Sequence, residues 1–205
     1  MTDASRGGAS PLRVRAAEPA DFERISRCIG KAFQSDPLAA YFFPDDTTRA
    51  RRYASFSRFV MNLFSRHGAI DTSDPIHGAA VWQAPSPPKP TGLQILRSAL
   101  AMAVCMRGAF FRAAKLGELT RPFHPHEPHW YLAVLGTEPA RQGQGIGSAL
   151  LRSRLETCDA TGLPVYLESS KDANLPFYER HGFRVVGEIA VPRGPTLWPM
   201  VRPLA

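Results

Sequence analysis

At 205 residues, with 44% hydrophobic and 21% charged residues, the chain can bury one sizeable core but is short for several independent domains. The formal net charge of +7 favours anionic partners, yet no run of five or six basic residues occurs, so a nucleic-acid partner is not expected. Cys28, Cys105 and Cys158 are isolated and form no CxxC pair, which suits a reducing cytoplasm and argues against a disulfide scaffold or a zinc–thiolate site.

Residues 1–11 are polar and small, without the apolar stretch of a signal peptide, and read as a flexible tail before a single domain over 12–205. Leu12 and Val14 alternate as in a strand, and Phe22, Ile25, Ile29 and Phe33 recur at helical spacing. Asp36 to Asp46 contains Pro37 and Pro44 around three adjacent aromatics, Tyr41, Phe42 and Phe43, and reads as a loop. Thr48 to Arg52, the densest basic cluster, reads as a solvated helix face. Tyr53, Phe56, Val60 and Phe64 share one side of that helix, with Gly68 as its stop, and short strands follow at Ala69 to Asp71 and Gly78 to Gln83.

The prolines of Ala84 to Gly92 open an insertion spanning 84–128, within which Leu93 to Leu119 reads as one or two helices. Its most apolar stretch, Ala99 to Met106, falls far short of the roughly 20 residues that span a bilayer. Core packing or a homodimer face is expected there, and no membrane contact. His124, His126 and His129 crowd a proline-punctuated stretch that reads as a loop or a site wall, not as a metal centre.

From Trp130 the pattern sharpens. Trp130 to Thr137 is an almost continuous apolar run, as in a strand buried on both faces. Ile146, Leu150, Leu151, Leu155 and Cys158 form the stripe of a helix that Gly162 ends, Pro164 to Ser170 is a second strand, and Ala173 to Gly182 a short helix. Phe183, Val185, Ile189 and Val191 alternate as a further strand, and Pro199 predicts a break beside the last one. The order strand, glycine loop, helix, strand, helix, strand, strand is a mixed α/β sheet.

Arg141 to Ser148 reads RQGQGIGS. A strand, a glycine-rich turn and a helix start gather free backbone N–H groups at the positive end of a helix dipole, an arrangement that holds pyrophosphate. No Lys-Ser or Lys-Thr follows, as a P-loop requires, and Ser148 stands where a dinucleotide loop needs its third glycine. Taken alone, the loop fits a small-residue turn as well as an anion cradle.

Gln142-x-x-Gly145-x-Gly147 followed by Asn174-x-x-x-Tyr178 resembles the GNAT superfamily of N-acetyltransferases. HEPHWYLAVLGTEPARQGQGIGSALL, GLPVYLESSKDANLPFYERHGF and VPRGPTLW are similar to its puromycin N-acetyltransferase type. The resemblance covers roughly 12–202, with its motifs in 126–202. It implies an α/β GNAT fold, with a mixed, mostly antiparallel sheet flanked by helices. It also implies acetyl-CoA as cosubstrate, no metal, and direct transfer to the primary amine of a small molecule. Amides around Gln142, Gly143, Gln144, Gly145, Ile146, Gly147 and Ser148 would take the pyrophosphate. Leu135, Gly136 and Thr137 would bind the pantetheine arm, with the Leu135 amide polarising the thioester, and Asn174 would contact that arm. Tyr178 would protonate the leaving thiolate. Glu168 is the candidate base, with a strand-end ion pair as the other reading. Asp36, Tyr41 and Glu127 are candidate acceptor contacts. A protein or peptide acetyltransferase and a non-catalytic acetyl-CoA sensor remain as alternative functions.

Overall fold

The computed structural model describes residues 12–88 and 90–203; the tail expected at 1–11 lies outside them. In chain order the elements are β1 (Arg13–Ala16), α1 (Phe22–Ala32), α2 (Pro37–Phe42), α3 (Asp46–Phe64), β2 (Gly68–Asp74), β3 (Gly78–Gln83), α4 (Gly92–Met106) and α5 (Phe110–Thr120). Then follow β4 (Trp130–Thr137), α6 (Ile146–Thr161), β5 (Val165–Ser169), α7 (Leu175–Glu179), β6 (Arg184–Val185), β7 (Ile189–Ala190) and β8 (Thr196–Arg202). The sheet runs β1-β2-β3-β4-β5-β8-β6, with β7 also on β8. Only β4 and β5 are parallel; the other pairs are antiparallel, as the sequence predicted.

Helices cover both faces. Ile25 and Ile29 of α1, Met61 of α3, Phe42, Phe43, Val81 and Val134 form one buried cluster. Leu150, Leu151 and Cys158 of α6 pack on Trp82, Val165 and Leu167 in the other. The stripe read for α6 is buried at every named position, and Gly162 ends the helix in the left-handed region at φ 64°.

Three local expectations are corrected. The stretch after α1 is not an open loop: Asp36 accepts from the N–H groups of Leu38 (2.9 Å) and Ala39 (3.0 Å), and Pro37 fits the first helical turn, so α2 forms. Gly68 begins β2 instead of stopping α3, because a side chain there would meet the Trp82 carbonyl of β3 at 2.0 Å, and β2 extends to Asp74. Arg49 is no solvated surface group; it donates to the carbonyls of Phe43 (2.8 Å), Gln34 (3.0 Å) and Pro44 (2.8 Å), fastening α2 to α3.

The break expected at Pro199 is present. Proline has no N–H for the ladder, and the outer partner of β8 is split into β6, facing Val201 and Met200, and β7, facing Leu197 and Thr196. Val186 bridges the interval by donating to the Pro199 carbonyl at 2.9 Å.

The insertion forms α4 and α5, but its apolar character is greater than the sequence reading allowed. By length and composition the 32-residue helical run Gly92–Phe123 could cross a bilayer. A 3-10 turn at Arg107–Ala109, where Arg107 has φ 47°, divides it. Met106, Ala109 and Ala113 are buried against the core, while Leu93, Leu96, Leu100, Val104 and Phe111 stay exposed.

One buried ion pair ties α6 to the sheet. Arg154 donates through Nε (2.9 Å) and Nη2 (2.6 Å) to Asp71 of β2, which is 4% exposed. Removing one partner strands the other charge, so Asp71→Ala is expected to lower unfolding free energy by about 3 kcal/mol in urea denaturation. An unchanged midpoint would show that the pair contributes nothing.

Candidate active site

β4 and β5 pair at only two positions, Trp130 with Val165 and Tyr131 with Tyr166, and then part. Just beyond, the β3–β4 register shifts: Val81 faces Val134 and Trp82 faces Leu132, leaving Ala133 as an extra residue that bends β4. The strands open a cleft of about 510 Å³, lined by Leu132 to Thr137 on one side and Leu167 to Lys171 on the other. β4 is therefore not buried on both faces as expected; alternate residues are only half-buried. A larger groove of about 960 Å³ lies between α3 and α4, but none of the glycine-loop residues line it.

The glycine loop closes one end of the cleft. Gly143 (φ 76°) and Gly145 (φ 81°) hold a conformation that side chains disfavour, and an added Cβ at either would meet no protein atom within 4 Å. The space over the loop is open. The first bond into α6 runs from Ala149 N to Gly145 O at 2.9 Å. Among the described residues no protein acceptor takes the N–H groups of Ile146, Gly147 or Ser148. These free donors sit at the N-terminus of a 16-residue helix, a site suited to an anion.

Gln142 Nε2 donates to the Thr137 carbonyl at 3.2 Å, joining the loop to the end of β4. Ser148 Oγ lies 3.2 Å from His181 Nε2. Burial and the charges of Arg152, Arg180 and Arg202 lower the pKa of His181, so the ring is neutral at pH 7.

Asn174, Tyr178 and Glu168 line the same cleft. Burial, then the charge of Asp36, raises the Tyr178 phenol above its ordinary value, so Tyr178 stays a proton donor through the alkaline range. Glu168, whose side chain is 10% exposed, lies 3.2 Å from His124 Nε2 through its Oε1. That oxygen is buried and has no hydrogen-bond partner among the described residues, because the contact has ion-pair distance without hydrogen-bond geometry.

Comparison with known proteins supports this geometry. Residues 107–185, from α5 through β6, match the family model described as an acetyltransferase (GNAT) domain. The chain has the fold of GNAT acetyltransferases and is an N-acetyltransferase. An uncharacterised N-acetyltransferase of Schizosaccharomyces pombe is 26% identical over 188 residues, covering 84% of this chain and 74% of the relative. A crystal structure of histone acetyltransferase HPA2 and related acetyltransferase from Corynebacterium glutamicum is 26% identical, covers 95% of this chain and 97% of its own, and superposes with a TM-score of 0.72. PaiA N-acetyltransferase from Thermoplasma acidophilum, solved with coenzyme A, shares the fold at 12% identity and a TM-score of 0.58, covering 94% of this chain and 98% of its own.

On this GNAT frame the predicted residues separate. Leu135, Gly136, Thr137, Gln142, Gly143, Gly145, Ile146, Gly147, Ser148, Asn174, Glu168 and Tyr178 converge on the cleft. Gln144 does not line it, and Ile146 is 4% exposed with its side chain in the core, so only its backbone is available. Asp36 reaches the wall but is committed as the α2 cap and accepts from Ser170 Oγ at 2.5 Å. Tyr41 is not in the cleft; it packs on the Ile189–Val191–Leu197 cluster with Arg112 over its ring. Glu127 is exposed and outside the cleft, and contributes its carbonyl to His129 instead.

Residues the sequence reading passed over include Arg141, Lys171 and Arg180, which line the cleft, and Phe33 stacked on Tyr53 with ring centroids 4.4 Å apart. Arg141 stood in the quoted loop motif and could have been found; the others meet the cleft through the fold alone.

Gly145→Ala would strain the backbone by roughly 1 kcal/mol and fill space over the free amides. It is expected to weaken acetyl-CoA binding at least tenfold in calorimetric titration while leaving the fold intact; unchanged affinity would remove the loop from the site. Because the Tyr178 pKa is raised, the protonated form persists above pH 10, so kcat should show no alkaline fall near pH 9–10. A limb there that disappears in Tyr178→Phe would contradict the assignment.

Proposed function

We propose that the protein transfers acetyl from acetyl-CoA directly to the primary amine of a small molecule, with an aminonucleoside-like acceptor as the finer reading. The observation that carries this is the polarity of one cleft. At one end lie the free amides of α6 with Arg141 and Arg180; away from them Asp36 and Glu168 outnumber Lys171, and Tyr178 lines the wall. A polyphosphate fits the first end and a cationic amine the second.

In this reading the β4 edge left unpaired by β5 takes the pantetheine arm as an added strand. The Leu135 amide polarises the thioester carbonyl where negative charge develops. Glu168 accepts one proton of the ammonium, the nitrogen attacks the carbonyl carbon, and the C–S bond breaks as Tyr178 gives its proton to sulfur and recovers the second proton from the nitrogen. An acetyl-cysteine route is disfavoured. Cys158 is fully buried with its thiol pushed up to about 12, and Cys28 is buried with its thiol pushed up to about 11.

A peptide acceptor is the second reading, favoured by the histone acetyltransferase named for the similar Corynebacterium glutamicum structure. Phe33, Leu38 and Tyr53 also wall the cleft, which favours a compact substrate over an extended chain. A thiol-release screen across small amines and basic peptides decides between them. Turnover of a small amine, with kcat lowered about 100-fold in Tyr178→Phe, supports the proposal. Turnover of peptides alone, or acetyl-CoA binding with no turnover of any amine, would overturn it.

A further inference from the structure

The histidines that the sequence crowds into residues 124–129 stand behind Glu168. We propose that His124, held in one tautomer by His129, is the outlet that takes the amine proton from Glu168 and delivers it to solvent. The inference rests on Glu168 as the base of the proposed reaction.

The argument starts from a carbonyl. His129 Nδ1 lies 2.9 Å from the Glu127 carbonyl oxygen, which can only accept, so Nδ1 carries the hydrogen. In the neutral ring Nε2 is then an acceptor, and it lies 3.3 Å from His124 Nδ1. His124 must therefore carry a hydrogen on Nδ1, which leaves Nε2 as the nitrogen that can take up and release a proton. That nitrogen lies 3.2 Å from Glu168 Oε1, the buried oxygen that has no hydrogen-bond partner in the resting geometry among the described residues. The two atoms stand close enough for a proton to pass between them once the side chains align.

Tyr131 and Tyr166 pack on the His124 ring at 5.1 Å and 4.3 Å between centroids. Burial, then the charge of Glu168 and side-chain hydrogen bonding to it, raise both phenols, so they keep their protons beside that carboxylate without giving one up. Burial is also the main cause that lowers the pKa of His129, which keeps that ring neutral and an acceptor at pH 7. The charged or titratable groups facing the pair are thus His129, Tyr131 and Tyr166, with Glu127 beyond on the surface. His124 is 30% exposed at its side chain, so it reaches solvent, which Glu168 at 10% scarcely does.

The proton count closes. An ammonium acceptor loses two protons on becoming the amide nitrogen, and one of them replaces the proton that Tyr178 gives to the coenzyme A sulfur. The other leaves Glu168 for His124 Nε2, makes an imidazolium and departs to water from the same nitrogen. His124 never changes tautomer, and His129 acts only by holding it there.

The test compares wild type with His124→Gln, His129→Ala, His129→Gln and Glu168→Gln. Nitrogen-15 spectra of the imidazoles need no substrate and should show both rings protonated on Nδ1 at pH 8; an Nε2–H tautomer at His124 would overturn the proposal. With an amine that turns over, His124→Gln should lower kcat about tenfold at unchanged KM for acetyl-CoA, with added imidazole restoring the rate. His129→Ala should lose activity to the same degree, and His129→Gln, whose amide oxygen can still accept from Nδ1, should retain it. Wild-type kcat in His124→Gln alongside an inactive Glu168→Gln would reject the outlet and keep the base. An active Glu168→Gln would reject the base itself.

Discussion

Two parallel rungs, Trp130 to Val165 and Tyr131 to Tyr166, hold β4 against β5, and there the sheet's continuity on that side ends. Every component of the site follows from the parting. Backbone donors and acceptors past the split lose their strand partner and need another, which an extended ligand supplies. The helix that connects the two strands must start at the open end, so its free N–H groups face the gap. Its far end is pinned where the strands still touch, through Trp130 N to Pro164 O at 2.9 Å and Trp130 Nε1 to Thr161 Oγ at 3.1 Å. Its near end is fixed by Ile146 and Leu150 under Gly78, where a methyl group would meet them at 2.8 Å and 3.1 Å.

The charge distribution divides the labour along the cleft. Net charge of +7 is spread over the whole chain, but at the glycine loop Arg141 and Arg180 add to the helix dipole. At the acceptor end the only carboxylates lining the cleft among the described residues are Asp36 and Glu168, and they differ in freedom. Asp36 spends its oxygens on the α2 cap and Ser170, whereas Glu168 keeps one buried oxygen unpartnered. A buried acceptor left without a donor costs about 1–3 kcal/mol, which is intelligible where a proton arrives in turnover.

The sequence made the second half of the chain legible because its signals are local. The apolar run of β4, the glycine loop, the α6 stripe and the Gly162 stop each lie within a few residues of the structure they specify, and the Asn174–Tyr178 spacing is a single helical turn. What stayed hidden depends on distant partners. Gly68 looks like a helix stop until Trp82 is beside it, Tyr41 like a pocket aromatic until Leu197 and Arg112 cover it, and Arg49 like a surface cation until α2 offers its carbonyls. His124 and Glu168, 44 positions apart in the chain, meet only because β5 lies beside β4.

The central claim is that the gap between β4 and β5, together with the loop beyond it, is where acetyl-CoA lies. Amide hydrogen exchange with and without acetyl-CoA tests it directly, since a bound strand-like arm and a bound pyrophosphate slow particular amides. Slowed exchange concentrated in residues 134–137 and 143–148 is the predicted result. Unchanged exchange there, with protection appearing instead in the α3–α4 groove, would contradict the account.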